Sequence, residues 1–519
     1  MSLPENYSHV GRAGDLKNTV ERRLYRFLEM LPGILAWGTF ALAILFSWLQ
    51  PVWVAFFMIA FVIYLLLRTL YFAFHLWTGY QHMRVNEKKD WIVELKNLQK
   101  AEYQLPVSSF KDLWHLVVVS TYKEPLEVLR STFQALKDSS YPKDRMVVIL
   151  GIEQREGEVA KEKAAILEME FGGVFSKFLV TEHPDNIEGE IAGKGSNESF
   201  AAKKAREYFD ELKISYQNII ISSLDADTVV YPQYFSCLSW YYLTTPDATR
   251  TSFQPIPLYL NNIWQAPPIS RVFAFSSTFW HTMNQQRPEK LITFSSHAMS
   301  FQALVDVNFR APNVVNDDSH IFWQCFFRYQ GNYKVQSLYY PVSMDANAAK
   351  SLWTTLKNIY LQHRRWAYGV GEIAYVFFGF LKDKTIPLGR KLTLGVELLE
   401  SHWTWATAPL LIFVLGWLPL MLGGDAFSET LLSYNLPRFV SNMLTFSMLG
   451  LIGTGVLSLY LLPKRKPSFG KMKAFWFVAQ WILLPLSMIF LMALPALEAQ
   501  TRWMLGKYLG FWVTPKHRS

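Results

Sequence analysis

Four short clusters in the chain carry residue types suited to chemistry on a phosphate-bearing substrate. Ser223-Leu224-Asp225-Ala226-Asp227 runs an apolar stretch into Asp-x-Asp. Two carboxylates on one side of a tight turn, Asp225 and Asp227, suit a hard cation such as Mg2+ or Mn2+, held with positions open for diphosphate oxygens. Asn316-Asp317-Asp318 precedes an aromatic-rich stretch with helical spacing, Ile321 to Tyr329. A carboxylate there either caps the helix or takes a proton from an acceptor hydroxyl. Gln362-His363-Arg364-Arg365-Trp366 offers an arginine clamp for a diphosphate beside a tryptophan platform for the apolar face of a sugar. The same residues also read as a basic face near lipid headgroups. Gly193-Lys194-Gly195-Ser196-Asn197 can bring backbone N–H groups and an ammonium to a phosphate, without the spacing of a P-loop.

Elements able to position these clusters follow in an alternating pattern. Leu116–Ser120 and Met146–Leu150 are short, β-branched runs of the kind found in buried parallel strands, and Asn218–Leu224 is a third. Glu127–Lys137 and Ala160–Glu170 read as helices between them. The alternation predicts an α/β domain from about 110 to 345 with a mostly parallel sheet and crossover helices. Ligands of such sheets bind at the carboxyl ends of strands, where Asp225 falls. Ser351–Leu381 mixes aromatic and basic residues as a helix lying flat at a membrane surface would, or as an ordinary amphipathic helix packing on the domain would; the neighbouring membrane segments favour the former.

Apolar residues make up 51% of the chain and concentrate at its two ends. Leu31–Leu49 and Val52–Trp77, split by Pro51, predict a transmembrane hairpin, with Arg68 snorkelling or facing protein. Thr404–Leu422, Phe439–Leu462 and Ala474–Leu497 are three further uncharged runs. Basic residues flank the hairpin, so the middle domain is expected on the cytosolic side. The net charge of +9 is accordingly assigned to lipid contact rather than nucleic acid. Three full C-terminal crossings would leave a basic tail outside, which conflicts with the same rule. Pro485 and Pro495 mark the last run as the one expected to be incomplete. No secretory signal precedes the first run. Cys237 and Cys325 are the only cysteines, too few for a disulfide framework.

In this order the clusters resemble the membrane-embedded family-two glycosyltransferases, which include the cellulose, hyaluronan and chitin synthases. Val118 to Pro125, with Thr121, Tyr122 and Glu124, is similar to the family's opening strand and nucleotide-contacting loop. Lys194 to Asn197 resembles its Lys-x-Gly-Asn segment, and Phe253-Gln254-Pro255 a segment lining the acceptor channel. Asn316-Asp317-Asp318 stands where the family has Thr-Glu-Asp, mapping the base to Asp318. Gln362, Arg365 and Trp366 match Gln-x-x-Arg-Trp. Phe511 to Lys516, with Thr514 and Lys516, resembles a gating loop. Two departures stand out: Glu153 is the sole carboxylate near the usual uracil-reading position, and His363 replaces a frequent arginine. No cyclic-dinucleotide domain is expected after the membrane region.

The resemblance implies a GT-A-like nucleotide-sugar transferase domain inserted between transmembrane helices. Its expected parts are a basic N-terminal segment (1–30), a hairpin (31–77), the transferase domain (78–345), interfacial helices (346–403), a membrane region (404–497) and a gating-like tail (498–519). It also implies a multi-pass protein of the plasma (inner) membrane. The expected activity is inverting, Mg2+- or Mn2+-dependent transfer from a nucleoside diphosphate sugar, a UDP-sugar above all, to a growing polysaccharide. Transfer of one sugar to a lipid-linked or short glycan acceptor is the alternative, and a catalytically dead transporter or scaffold a third.

Overall fold

The computed structural model describes residues 7–413, 415–463, 471–515 and 518. At its centre is a sheet of eight strands in the order β3-β2-β1-β4-β7-β6-β8-β5. The strands are β1 (Trp114–Ser120), β2 (Met146–Glu153), β3 (Lys177–His183), β4 (Ile219–Asp225), β5 (Val229–Val230), β6 (Thr251–Leu258), β7 (Ala298–Ser300) and β8 (Lys334–Ser343). Leu116 to Val119 and Met146 to Leu150 have no solvent exposure. Both faces of these strands are therefore covered, as their uninterrupted apolar composition requires. Helices Leu126–Asp138, Glu158–Phe171 and Lys194–Glu211 supply that cover as the crossovers between parallel strands.

Register aligns the chemistry. Ser120 at the end of β1 lies opposite both Gly151 of β2 and Asp225 of β4. One residue further along β2 and β3, Ile152 pairs with Glu182 and then Glu153 with His183. The polar residues that follow each strand thus emerge along one edge of the parallel half.

The other half of the sheet is mixed. β7 is antiparallel to both β4 and β6, while β6 runs parallel to β8. The expectation of a mostly parallel sheet therefore holds without a break from β3 to β4 and again in the β6–β8 pair, while β7 and β5 pair antiparallel. β7 has only three residues, Ala298-Met299-Ser300, and offers no apolar run to read. β6 contains Pro255 and Pro257, which argue against a strand in sequence; the structure accommodates them with a register shift between Gln254 and Ile256.

Three helices are long and apolar enough to cross a membrane among the described residues: Thr19–Leu49, Pro51–Lys88 and Phe475–Leu505. The first two form the expected hairpin, with Pro51 at the first position of the second helix. Proline is tolerated there because that N–H has no partner within the helix. Arg68 faces protein, paired with Glu400 on helix Leu388–Phe413. Helix Leu431–Leu461 contains the second C-terminal apolar run.

The last apolar run and the helix that continues it pack on helices beside the sheet and on the apolar helices Thr19–Leu49 and Leu388–Phe413. Trp481 stacks on Phe279 at 5.8 Å, Leu491 clusters with Phe273 and Ile359, and Trp503 stacks on Tyr368 at 4.8 Å. A π-helical stretch, Met488–Ala493, interrupts it just before Pro495. The stretch expected to be one surface helix, Ser351–Leu381, is instead two helices, Leu352–Ala367 and Glu372–Lys382, joined by a 3-10 turn at Tyr368–Gly371. The turn carries Gly369 and Gly371, which lower helix propensity at that point. Trp503 packs where a side chain on Gly371 would stand.

Candidate active site

The site assembles around Lys194, the first residue of helix Lys194–Glu211. Its Nζ donates to Asp225 Oδ1 at 2.6 Å and to Asp318 Oδ1 and Oδ2 at 3.0 and 3.1 Å. Three separate sequence clusters therefore meet on one ammonium. Burial would strip that proton, but the Asp225 and Asp318 carboxylates outweigh burial and raise the lysine pKa well above its ordinary value. Gly195 follows because a β-carbon there would fall 2.7 Å from Asp317 Cβ.

Asp318 and Asp317 are neighbours with different environments. The Asp318 side chain retains 22% exposure, whereas that of Asp317 retains 3%. Only the former is open to a substrate. Burial by itself would raise the Asp318 carboxyl, but Lys194 and Arg310 overcome it and hold it below its ordinary value. Burial and the Asp318 charge push Asp317 up to about 6. Both sit in the first turn of helix Asp317–Arg328, whose N-terminal dipole also favours negative charge.

Arg310 is the hub beneath them, and sequence reasoning missed it. Its guanidinium is 3.2 Å from Glu198, 3.2 Å from Asp317 and 3.4 Å from Asp318. It also donates to Ser223 Oγ at 2.8 Å, and NH2 lies 3.1 Å from His297 Nε2. His297 Nδ1 lies 2.8 Å from the Phe294 carbonyl. Donation to that carbonyl leaves Nε2 as the acceptor for Arg310. Burial holds this histidine neutral, with its pKa lowered to about 3. Two consecutive non-glycine residues at positive φ, Asn308 (57°) and Phe309 (67°), deliver the arginine. A bulky residue in that region is strained, and strain of this kind gathers at functional sites. A lone arginine after an apolar stretch gave no motif to follow.

Asp225 ends β4, and Ser295 Oγ donates to its second oxygen at 2.6 Å. Asp227 is fully buried; its Oδ2 accepts the main-chain N–H of Asp345 at 2.9 Å. Asn261 Nδ2 bridges the Asp227 carbonyl and the Asp345 carboxylate. Asp345, two residues past β8, was not singled out, although a carboxylate just past a strand end is the signal that marked Asp225. The Asp225, Asp227 and Asp345 donors are all oxygen and suit a hard cation. A second acidic group, Glu198, Asp317 and Asp318, has ligand oxygens within 4.8 Å of one another. Cations stand against both groups: Arg310 and Lys194 against this one, and Lys194 at 2.6 Å from Asp225 and Arg518 at 2.7 Å from Asp345 on the Asp-x-Asp side.

Thr121, Tyr122, Glu124 and Glu153, expected to face the nucleotide, cluster at the ends of β1 and β2. Glu124 Oε2 accepts from Thr121 Oγ1 at 2.8 Å and from the Tyr122 N–H at 2.6 Å. The Tyr122 ring lies 3.9 Å from the Arg155 guanidinium. Glu153 and Asn197, expected to touch the donor, are buried against each other at 2.9 Å. Glu153 also accepts from Arg155 at 3.1 Å. These two residues tie the end of β2 to the Lys194 helix.

Gln362, Arg365 and Trp366 lie on helix Leu352–Ala367. Gln362 Oε1 accepts from Asn347 at 3.2 Å. The Arg365 guanidinium covers the Phe511 ring at 4.8 Å, and its Nε is buried with no hydrogen bond among the described residues. Asn316 Nδ2 holds the carbonyls of Arg365 and Trp366 at 3.2 and 3.3 Å, linking this helix to the turn before Asp317. Phe511 also packs on Gly193, where a β-carbon would come within 2.7 Å of the ring. The tail therefore lies over the Lys194 loop. Thr514 is buried there, and Lys516 lies outside the described residues.

No family model matches the chain, and no curated protein matches it. Among solved structures it is similar to the mannosyltransferase PcManGT from Pyrobaculum calidifontis, in complex with GDP-Man and Mn2+. The TM-score is 0.41 at 14% identity, covering 78% of this chain and 99% of the other. It is also similar to residues 1–349 of S. aureus TarS in complex with UDP, at a TM-score of 0.36 and 9% identity over 77% of this chain and 94% of the other. The same TarS segment in complex with UDP-GlcNAc gives 0.36 and 10% identity, covering 72% and 91%.

Proposed function

We propose that this chain is a membrane-bound, inverting glycosyltransferase that moves a sugar from a nucleoside diphosphate, a UDP-sugar in the first instance, to a growing glycan. The carrying observation is that Lys194 Nζ meets Asp225 at 2.6 Å and Asp318 at 3.0 Å, on carboxylates that stay 27% and 22% exposed. In this reading Asp225, at a strand end, serves the donor and Asp318, accessible and ionised, serves the acceptor.

In the reaction, Asp318 accepts the proton of the acceptor hydroxyl. The hydroxyl oxygen bonds to the anomeric carbon as the bond from that carbon to the diphosphate oxygen breaks, inverting the centre. The electron pair leaves with the diphosphate. Lys194 and the free Nε of Arg365 are placed to take up that charge by charge-assisted hydrogen bonds. Tyr122, with Arg155 on its face, provides the stacking surface for the base. Asp225 and Asp227 would hold Mg2+ or Mn2+, which screens the diphosphate when bound. The long apolar helices support a membrane setting for this chemistry, and the packing of Phe511 on Gly193 and Arg365 supports a tail that covers the site.

The test is to incubate the purified protein in detergent with a panel of nucleotide sugars and Mn2+, then follow nucleoside diphosphate release and product size. Long products support polymer growth, and single additions support the one-sugar alternative. No release from any donor, by transfer or hydrolysis, would remove the glycosyltransferase reading.

A further inference from the structure

A cavity lies away from the candidate active site, where the N-terminal segment meets the first long apolar helix. Its volume is about 650 Å3, and Arg12, Arg22, Arg23, Arg26, Phe27 and Tyr508 line it. We propose that this cavity binds the headgroup of an anionic phospholipid. The inference stands apart from the sugar-transfer reading and uses none of its residues.

Charge is the first argument. Four guanidinium groups face a single lining carboxylate, Asp15, which already pairs with Arg12 at 3.5 Å. Glu29 beneath the cavity is fully engaged, accepting from Arg26 at 2.6 Å, from the Ala13 N–H at 2.7 Å and from Tyr508 at 2.8 Å. The cavity therefore holds an excess of positive charge that an anion would neutralise.

Construction is the second argument. Arg22 donates twice to the Leu16 carbonyl, at 3.0 and 2.8 Å. Arg26 donates to the carbonyls of Trp503 and Met504 at 2.8 and 2.7 Å. These two side chains are held in place by the backbone and shape the walls. Arg23 has no hydrogen bond or ion pair among the described residues, and Arg12 has only Asp15 and the Tyr508 ring at 5.7 Å. Those two keep donors for a ligand.

Surroundings select a lipid over a soluble phosphate. Phe27 and Val20, on the same helix, are 54% and 75% exposed. Apolar residues left bare beside arginines are what the headgroup level of a bilayer accommodates: acyl chains cover the former while phosphates meet the latter. A free phosphate would leave Phe27 and Val20 in water.

The experiment uses the full-length protein in non-ionic detergent. Dioctanoyl phosphatidylglycerol, dioctanoyl phosphatidylcholine and inorganic phosphate are titrated separately at constant ionic strength, and the thermal unfolding midpoint is read. Phosphatidylglycerol should raise the midpoint saturably, and the other two should not. Arg12→Gln with Arg23→Gln should weaken that response by about tenfold or more. These two arginines hold little else in place, so the variant should fold, and Arg12→Lys with Arg23→Lys should retain most of the response. An equal response to phosphatidylcholine, a full response to inorganic phosphate, or an unaltered response in the glutamine variant would each overturn the proposal.

Discussion

Lys194 Nζ lies 3.0 Å from Asp318 Oδ1 and 3.1 Å from Oδ2, although 124 positions separate the two residues in sequence. The contact fixes the protonation state of the candidate base. Asp318 is ionised at neutral pH because an ammonium and a guanidinium oppose its burial. Replacing it by asparagine keeps the shape and removes the proton acceptor. Asp318→Asn should lower turnover by about 10²–10⁴-fold while nucleotide-sugar binding, measured by calorimetry, stays within a few-fold. Near-normal turnover would take Asp318 out of the role.

The same contact predicts a pH effect. The base works when ionised, so activity should fall on the acid side as Asp318 gains a proton. Its pKa is held below the ordinary value, with Lys194 the largest opposing influence to burial. Lys194→Met removes that positive charge, and burial then prevails. The acid limb of kcat/KM should therefore move to higher pH in the variant, beyond any uniform loss of rate. A limb that stays in place would show that another group controls it.

Arg310 concentrates the stability of the site. It is buried and faces three carboxylates, of Glu198, Asp317 and Asp318. Removing one partner from a buried ion network costs about 3–5 kcal/mol, because the remaining charges lose their compensation. Arg310→Gln should lower the unfolding midpoint in step with that cost. Coupling should show as well: Arg310→Gln with Glu198→Gln should be less destabilised than the sum of the single changes. Additive losses would mean that the two side chains do not share a network.

Asp225, Lys194, Asp318 and Arg365 could be singled out because each sits in a short pattern whose chemistry is local. The strands before Asp225 and Thr121 were legible for a similar reason: uninterrupted apolar runs such as Leu116–Val119 have one structural meaning when flanked by helices. Arg310, Ser295 and His297 were not legible. Their roles arise from three-dimensional packing around β4 and β7, and β7 is too short to leave a pattern. The reverse also occurred. Asn197 and Glu153 sit in recognisable positions, yet their side chains join β2 to a helix, which nothing in their spacing discloses.

The proposed metal dependence rests on the carboxylates at the end of β4. Asp225 and Asp227 offer carboxylates of the kind that select Mg2+ or Mn2+. EDTA should abolish transfer, and either ion should restore it. Asp225→Asn should raise the metal concentration needed for half-maximal rate and also lower the unfolding midpoint, because it takes one carboxylate from the buried Lys194 ammonium. Asp227→Asn should also destabilise, because Asp227 accepts the buried Asp345 N–H and asparagine offers only one acceptor oxygen. Full activity in excess chelator would remove the metal from the reaction.

The tail supplies the final prediction. Phe511 lies where a side chain on Gly193 would stand, with the nearest ring carbon 2.7 Å from a built β-carbon, and Arg365 covers the same ring at 4.8 Å. Gly193 has φ of −166°, an extended value open to any residue, so alanine there meets no backbone strain. Among the described residues, the three atoms nearest to a β-carbon there all belong to Phe511. Gly193→Ala should therefore push the tail off the Lys194 turn without unfolding the domain, and both it and Phe511→Ala should weaken donor affinity and turnover. The two changes act on one contact, so the double variant should be no worse than Phe511→Ala alone. If Gly193→Ala instead caused a further loss in the Phe511→Ala background, the glycine would be serving the donor directly and the tail would not be the element that closes the site.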